Sequence, residues 1–243
     1  MDPGPDLPRA ERPAPANRPA TAPDRVSTLL VDLEGTLVDA TFLDAAAWFL
    51  AFDEVGRPQP LWEIHPRLGL GTDALVTELL GGPSEEVAAA HRRRVTDYLP
   101  SVRALPGACD LLDRGAAAGL RVCIVTTADG DDVDELLAPL GGAGAVDDVV
   151  HAGMLDTDTP SVDRFRVALD RSGAPRSETL AVGDTGWDVV SAAAAGIACI
   201  GLESGGTSRQ ALDEAGAVEV YRDARELVGH WSGDRPDRPR RAS

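Results

Sequence analysis

The amino-acid sequence predicts an α/β protein with a doubly wound parallel sheet and a small inserted all-helical domain. Short apolar runs rich in β-branched residues alternate with helix-like segments over most of the 243 residues. This alternation is typical of βα units that build a parallel sheet. The interval 41–102 breaks the alternation, because it carries helical periodicity and no strand signal. Together these features favour a sheet-based core that is interrupted by helices.

Six apolar runs are predicted to form the strands of the sheet. The first, STLLVD, begins at residue 27 and ends on an acidic residue. Runs of this length and composition suit strands that are buried on both faces. The predicted strands are 27–32, 121–126, 149–151, 179–183, 198–202 and 218–221.

Helical segments separate the later strands. Pro106 suits the first position of a helix, and Gly119 and Gly196 follow predicted helices, where a left-handed C-terminal residue is favoured. The predicted core helices are 106–118, 131–139, 161–172, 187–195 and 208–215.

Residues 41–102, which we call the helical insertion, are predicted to hold a helix through 42–50 and two more at 71–80 and 84–99. In open parallel sheets, ligands bind beyond the carboxyl ends of the strands. An insertion that leaves the first strand at that edge would cover the ligand. The apolar face of the first helix is predicted from the spacing of Phe42, Ala45, Ala46, Phe49 and Leu50.

The α/β core is expected to comprise residues 26–40 and 103–230. Residues 1–25 carry seven of the 18 prolines and almost no large apolar side chains. Such a segment cannot bury enough surface to offset its ordering entropy, so we expect a disordered tail. A second, flexible tail is expected at 231–243.

Composition excludes several classes of partner. The formal net charge of -17 argues against general attraction to nucleic acid or to an anionic membrane surface. No apolar run approaches the roughly 18 residues of a membrane span, and the N-terminus has no apolar signal core. The 3 widely spaced cysteines suggest reduced thiols. We therefore expect a cytoplasmic protein with no nucleic-acid partner and no membrane partner.

Polar side chains follow three of the predicted strands. Asp32 and Asp184 each end or follow an apolar run, and Asp188 lies four residues after Asp184. These carboxylates either cap the turns that follow them or converge on a hard divalent cation with oxygen ligands. Thr126 and Thr127 follow the second strand. Their hydroxyl and N–H groups either cradle a phosphate or only end the strand.

From about residue 26 to 227 the chain resembles the haloacid dehalogenase-like hydrolases, specifically the phosphoglycolate-phosphatase-like group with a helical cap. The resemblance is carried by the order and spacing of four segments. They are VDLEGTLVD at 31–39, LGLGTDALVTELLG at 68–81, LPGACDLLDRGAAAGLRVCIVTTA at 105–128 and LAVGDTGWDVVSAAAAGI at 180–197.

The resemblance implies a Mg²⁺-dependent phosphatase that acts on a small phosphorylated metabolite. It implies that Asp32 attacks phosphorus and forms an aspartyl-phosphate, which water then hydrolyses. It implies that Mg²⁺ is held by Asp32, Asp184 and the backbone carbonyl of Glu34, with Asp188 as a further acid. Thr126 would bind the phosphoryl oxygens.

Two positions depart from the family pattern. Glu34 stands where the family has an Asp that acts as acid and base, and its reach is about 1.5 Å longer. Thr159, before Pro160, stands where the family has a Lys. All 23 basic residues are Arg, so only Arg can replace that cation. Arg164 and Arg67 are the candidates.

These departures leave two functions open. One is an active phosphatase, and the other is a catalytically weakened or inactive protein of the same fold that binds or regulates.

Two further expectations concern packing. His91, which precedes three Arg residues, is expected on a solvated helix face, and Trp187 is expected to pack against the sheet.

Overall fold

The computed structural model describes residues 22–141, 144–155, 163–232 and 235–236. Its centre is a sheet of six parallel strands in the order β3-β2-β1-β4-β5-β6. Every predicted strand is present, with ends that differ from the prediction by no more than one residue. The strands are β1 (Thr28–Asp32), β2 (Arg121–Val125), β3 (Asp148–Val150), β4 (Thr179–Gly183), β5 (Ala198–Leu202) and β6 (Glu219–Tyr221).

The sheet order reverses direction beside β1. The chain runs from β1 through β2 to β3 at one edge, and β4 then pairs with the other side of β1. Asp32 lies opposite Val125 of β2, and Val31 lies opposite Val182 of β4. The loops that leave β1 and β4 diverge at such a reversal and open a crevice at the carboxyl ends of the strands. Asp32 lies at this crevice.

The helical insertion follows β1, and the predicted helices 71–80 and 84–99 are both present in it. A short helix and a 3-10 turn precede them. The sequence did not predict these two elements, because each is too short to show a helical period. The insertion contains α1 (Thr41–Glu54), α2 (Leu61–Ile64), the 3-10 turn His65–Leu70, α3 (Thr72–Leu80) and α4 (Glu85–Tyr98).

The predicted apolar face of α1 is wrong. Phe42, Phe49 and Leu50 are exposed, at 59%, 37% and 44% of their possible surface. Residues 42–52 are almost all apolar, so spacing alone could not choose between faces. The buried side chains of α1 are Thr41, Ala45, Ala47, Trp48, Ala51 and Phe52.

In the part of the chain that the structure describes, six further helices accompany the sheet, and the apolar residues of β1 alternate between two clusters. Leu29 and Val31 pack in one cluster with Leu111, whereas Leu30 packs in the other with Phe165. This alternation follows from the two-residue period of a strand. The helices are α5 (Ala108–Ala117), α6 (Val133–Leu137), α7 (Arg164–Ser172), α8 (Gly186–Ala195), α9 (Arg209–Ala215) and α10 (Ala224–Gly229).

The chain termini are described in part. The predicted tail 1–25 lies outside the described residues except for its last four. At the other end, β7 (Trp231–Ser232) pairs antiparallel with β8 (Arg235–Pro236). Trp231 is buried, and its carbonyl accepts a hydrogen bond from Arg114 Nη2 at 3.0 Å. Trp231 therefore packs with the core, although the sequence placed it in a tail.

None of the helices in the described ranges combines the length and the apolar composition that crossing a bilayer requires.

Candidate active site

Three buried aspartates meet at the carboxyl end of the sheet. Asp32 ends β1, Asp184 directly follows β4, and Asp188 lies in the first turn of α8. Each offers a carboxylate oxygen that lies within 4.8 Å of those of the other two. Of the two alternatives that the sequence left open for these carboxylates, the fold therefore has the one in which they converge.

Glycines make the close approach around Asp184 possible. A Cβ on Gly205 would lie 1.6 Å from Asp184 Oδ2, and a Cβ on Gly35 would lie 2.5 Å from the same atom. Gly35 also has a φ of 83°, which residues with a side chain rarely adopt. The space at Asp184 therefore depends on glycine at both positions.

The hydrogen bonds of the carboxylates are unevenly distributed. Asp188 Oδ2 accepts from Thr185 N at 2.9 Å, and Thr185 Oγ1 accepts from Asp188 N at 3.3 Å, so the two residues form a capping box at α8. Asp188 Oδ2 also accepts from Thr185 Oγ1 at 2.7 Å. Asp184 Oδ1 accepts from Thr36 Oγ1 at 3.1 Å, but its Oδ2 is buried and has no hydrogen-bond partner among the described residues. A buried carboxylate oxygen without a partner fits the coordination of a cation.

The electrostatics of these groups point the same way. Burial raises the pKa of Asp32 well above its usual range, the charge of Asp188 raises it further, and Arg164 opposes the rise. Burial and the charge of Asp188 also raise the pKa of Asp184 well above its usual range. Carboxylates this close repel each other, and a divalent cation between them would favour their ionised forms.

A buried guanidinium lies beside the aspartates. Arg164, the first residue of α7, is 1% exposed. Its Nη2 lies 2.5 Å from Asp188 Oδ1 and 3.9 Å from Asp32 Oδ1, and its Nη1 donates to the carbonyl of Gly69 in the helical insertion at 2.7 Å. Burial acts to lower the pKa of Arg164, but the charges of Asp188 and Asp32 raise it above its usual value. Arg164 therefore stays protonated.

The other residues considered for the missing cation lie elsewhere. Thr159 falls outside the described residues. Arg67 Nε donates to Glu78 Oε2 at 3.1 Å, and its Nη1 donates to the carbonyl of Glu63 at 2.7 Å. Arg67 is thus held within the helical insertion, and the structure does not place it among the three aspartates. Of the two Arg candidates, Arg164 is the one at the site.

Glu34 is held by the threonine that follows β2. Thr126 Oγ1 donates to Glu34 Oε2 at 2.7 Å and accepts from Ala128 N at 2.9 Å. Burial raises the pKa of Glu34, and the hydrogen bond from Thr126 opposes that rise. In this structure Thr126 thus orients a carboxyl group, whereas Thr127 lines the neighbouring pocket.

This pocket opens beside Glu34, between the core and the helical insertion, and holds about 550 Å³ of empty space including its mouth. Asp44, His91 and Tyr98 form a network in its wall. Asp44 Oδ1 lies 2.7 Å from His91 Nε2 and 3.3 Å from Tyr98 Oη. We call Asp44, His91 and Tyr98 the wall network.

The expectation that His91 is solvated is wrong. Its ring stacks on Trp48 with a centroid distance of 3.6 Å, and only 8% of the residue is exposed. The wall network was missed because its members are 47 and 54 positions apart along the chain. A polar His at the start of an Arg run carries no local signal for such a contact.

The 3-10 turn of the helical insertion is docked on the core. Trp187 Nε1 donates to the carbonyl of Pro66 at 2.9 Å, so this side chain contacts the insertion, whereas packing against the sheet was predicted. His65 Nε2 lies 3.0 Å from the carbonyl of Gly205. Because a carbonyl only accepts, this contact requires the proton on His65 Nε2. Together with Arg164, these bonds hold the insertion over the aspartates.

Comparisons with known proteins show the family of this chain. Residues 26–196 match the sequence model of the haloacid dehalogenase-like hydrolases. The phosphoglycolate phosphatase of Rhodospirillum rubrum is 32% identical over 222 residues, which cover 84% of this chain and 90% of that protein. Protein CbbY of Rhodobacter capsulatus is 33% identical over 188 residues, covering 71% and 83%.

A solved structure shows the same fold. The crystal structure of a hydrolase from Pseudomonas syringae superposes with a TM-score of 0.78 at 29% identity, covering 84% of this chain and 97% of that one. Residues 26–196, which match the sequence model of the family, include β1, the helical insertion and the aspartate cluster. The chain therefore belongs to the haloacid dehalogenase-like hydrolases, within their phosphoglycolate-phosphatase-like group.

Proposed function

We propose that this hydrolase is a Mg²⁺-dependent phosphatase that cleaves small phosphate monoesters through an aspartyl-phosphate. The observation that carries the proposal is the buried Arg164 beside Asp32 and Asp188, since it supplies a permanent positive charge in a chain without Lys. With that charge present, the neutral Thr159 does not by itself argue for an inactive protein.

Asp32, Asp184 and the backbone carbonyl of Glu34 would hold the ion. The residues fit it, because Asp184 Oδ2 is buried and no described residue gives it a hydrogen bond. Asp188 already accepts hydrogen bonds on both oxygens, from Arg164 and Thr185, so we assign it chiefly to holding Arg164. When bound, Mg²⁺ would lower the pKa of Asp32 and offset the charge of the phosphoryl group.

Asp32 and Glu34 would share the bond chemistry. A carboxylate oxygen of Asp32 forms a bond to phosphorus while the ester P–O bond breaks. Glu34, in its protonated form, gives its proton to the departing alkoxide. The ionised Glu34 then takes a proton from water, whose oxygen attacks phosphorus, and phosphate leaves as Asp32 is regenerated.

Arg164 and the two threonines would position these groups. The guanidinium of Arg164 offsets the negative charge of Asp32 and of the phosphoryl group in the transition state. Thr126 fixes the carboxyl of Glu34, which compensates for the greater reach of Glu relative to Asp. We assign Thr127, at the pocket beside Glu34, to contact with the substrate.

Turnover of p-nitrophenyl phosphate by the purified full chain tests the proposal. We expect release of p-nitrophenol in Mg²⁺, its loss in EDTA, and its loss in Asp32→Asn. Brief incubation with radiolabelled substrate should also leave phosphate on the wild-type protein that is stable in acid and released by hydroxylamine. Asp39→Asn, a change at an exposed Asp of the same loop, serves as the control and should remain active.

The binding or regulatory function predicts another outcome. If wild type, Asp32→Asn and Asp39→Asn release p-nitrophenol at the same background rate in Mg²⁺, the phosphatase proposal is rejected.

A further inference from the structure

We propose that the pocket beside Glu34 selects phosphate monoesters whose alcohol part carries no negative charge and donates hydrogen bonds. The inference rests on the proposed function. Glu34 borders both the aspartate cluster and the pocket. If Glu34 protonates the leaving oxygen, the rest of the alcohol must extend into that adjoining space.

Negative charge dominates the lining of the pocket. Besides Glu34, which enters the proposed reaction in its protonated form, the lining carries Asp44 on one wall and Asp129 and Asp132 from the loop after β2. A second anionic group on the substrate would face these carboxylates across a confined space. Like charges at short range disfavour binding, so a carboxylate or second phosphate on the alcohol part is rejected.

The positive features of the pocket are already complemented. Arg92 is the one permanently positive side chain among the described residues that line it, and its Nη2 pairs with Glu85 at 2.5 Å. The N-terminus of α3 also borders the pocket, through Thr72, and a helix N-terminus attracts anions. Its first turn already carries Asp73. The balance therefore remains negative.

The same groups can recognise hydrogen-bond donors. Asp44 already receives hydrogen bonds from His91 and Tyr98, the other members of the wall network. Asp129, Asp132 and the hydroxyl of Thr127 are left to accept from a ligand. Carboxylates pair well with hydroxyl or ammonium groups. A small polyol phosphate or amino-alcohol phosphate matches this lining, whereas the carboxylate of phosphoglycolate does not.

Three substrates of similar size test the charge rule. Phosphoethanolamine, 2-hydroxyethyl phosphate and phosphoglycolate place an ammonium, a hydroxyl or a carboxylate at comparable distance from phosphorus. In Mg²⁺ at low ionic strength, where screening is weak, we expect kcat/KM for phosphoglycolate to be at least about tenfold below that of each of the other two. Equal or greater kcat/KM for phosphoglycolate overturns the inference.

Variants assign the effect to the pocket. The double variant Asp129→Asn with Asp132→Asn should raise the phosphoglycolate to 2-hydroxyethyl phosphate ratio of kcat/KM by about fivefold or more. The control is Asp131→Asn with Asp134→Asn, which removes the same charge from exposed positions of the same segment that do not line the pocket. An equal change in both double variants contradicts selection by the pocket lining.

Binding separates this inference from the proposed function. Titration calorimetry of Asp32→Asn with the three phosphates in Mg²⁺ gives their Kd values without turnover. If the wild type hydrolyses none of them, nor p-nitrophenyl phosphate, the proposed function fails while the order of Kd still decides the charge rule. Weakest binding by phosphoglycolate supports it, and any other order, or no binding of any of the three, rejects it.

Discussion

Arg164 Nη2 contacts Asp188 Oδ1 at 2.5 Å, and both side chains are almost completely buried, at 2% and 1% exposure. Neither group could be buried alone without a large desolvation cost. Asp188 therefore holds the Arg164 guanidinium in place beside Asp32, and the same guanidinium donates to the carbonyl of Gly69 in the helical insertion. One side chain thus joins the aspartate cluster to the segment that covers it.

Replacing Arg164 should separate charge from shape. We expect Arg164→Gln to lower kcat about 10²- to 10³-fold, because one preorganised electrostatic partner is lost. Arg164→Lys should recover at least about tenfold of that loss, since it keeps the positive charge. Steady-state kinetics with p-nitrophenyl phosphate and Mg²⁺ measures both. Arg166→Gln, on the exposed side of α7, should resemble wild type.

Unfolding experiments guard the Arg164 prediction against a folding defect. Removing one partner of a buried ion pair costs roughly 3–5 kcal/mol, so Arg164→Gln should unfold at lower urea concentration. The double variant Arg164→Gln with Asp188→Asn should regain stability but not kcat. If it regains kcat, the positive charge of Arg164 is not required for turnover.

Thr126 should matter through Glu34. Thr126→Val removes the hydroxyl that donates to Glu34 at 2.7 Å but keeps the shape of the side chain. We expect kcat to fall about tenfold or more, because misplacement of an acid on the ångström scale is costly, and we expect Thr126→Ser to restore most of it. Thr96→Val, an exposed threonine of α4, is the control. Equal kcat in Thr126→Val and wild type would contradict this role.

Asp184 should make the metal-free protein less stable as the pH rises. Its folded pKa is raised above the unfolded value of about 4. The protonated group therefore supports folding below pH 4, and this support is lost as the pH rises through the folded pKa. In EDTA, Asp184→Asn should gain unfolding free energy relative to wild type between pH 4 and pH 8.

Urea unfolding at several pH values measures that difference, and Asp39→Asn is the control at an exposed position. Mg²⁺ at pH 8 should stabilise the wild type but not Asp184→Asn, because the ion requires the carboxylate. A pH-independent difference between Asp184→Asn and wild type in EDTA would count against the electrostatic account of this site.

Two glycines of the helical insertion provide a variant and a matched control for testing whether docking of the 3-10 turn is needed for activity. A Cβ on Gly69 would lie 2.8 Å from Trp187 Cβ and 2.9 Å from Thr185 Oγ1, whereas a Cβ on Gly82 would meet no described residue within 4 Å. Gly69→Ala should displace the turn, raise KM and lower kcat, with kcat/KM falling about tenfold or more. Gly82→Ala should keep kcat/KM near wild type. Equal kinetics of the two variants would show that docking of the turn is not needed.

The sheet and the aspartate cluster could be predicted because both depend on local sequence. A buried parallel strand is an apolar run, and the residue after it lies at the carboxyl edge of the sheet. This rule places Asp32 and Asp184 at that edge from sequence alone, and the structure adds that their strands β1 and β4 are neighbours. The sequence could not choose between Arg164 and Arg67 as the replacement for the missing Lys, because a long side chain can reach in several directions from a helix end.

Contacts between distant segments could not be predicted in this way. His91 and Asp44 meet through the packing of α1 against α4, and no pattern within either helix reports the other. The buried face of α1 was misassigned because this helix is apolar nearly all round. Trp187 bonds to Pro66 across 121 positions of sequence. Each of these depends on how the helical insertion lies on the core.

The turn Glu203–Gly205 after β5 contributes none of the proposed reacting groups, yet it touches three working parts of the site. Ser204 Oγ donates to the carbonyl of Gly35 at 2.6 Å, Gly205 lies against Asp184, and the carbonyl of Gly205 meets His65. Gene libraries that seek new substrates should leave this turn unchanged. Amino-acid variation should be introduced at the pocket-lining positions of α1, α4 and the loop after β2, where substrate recognition can change while the reaction centre is preserved.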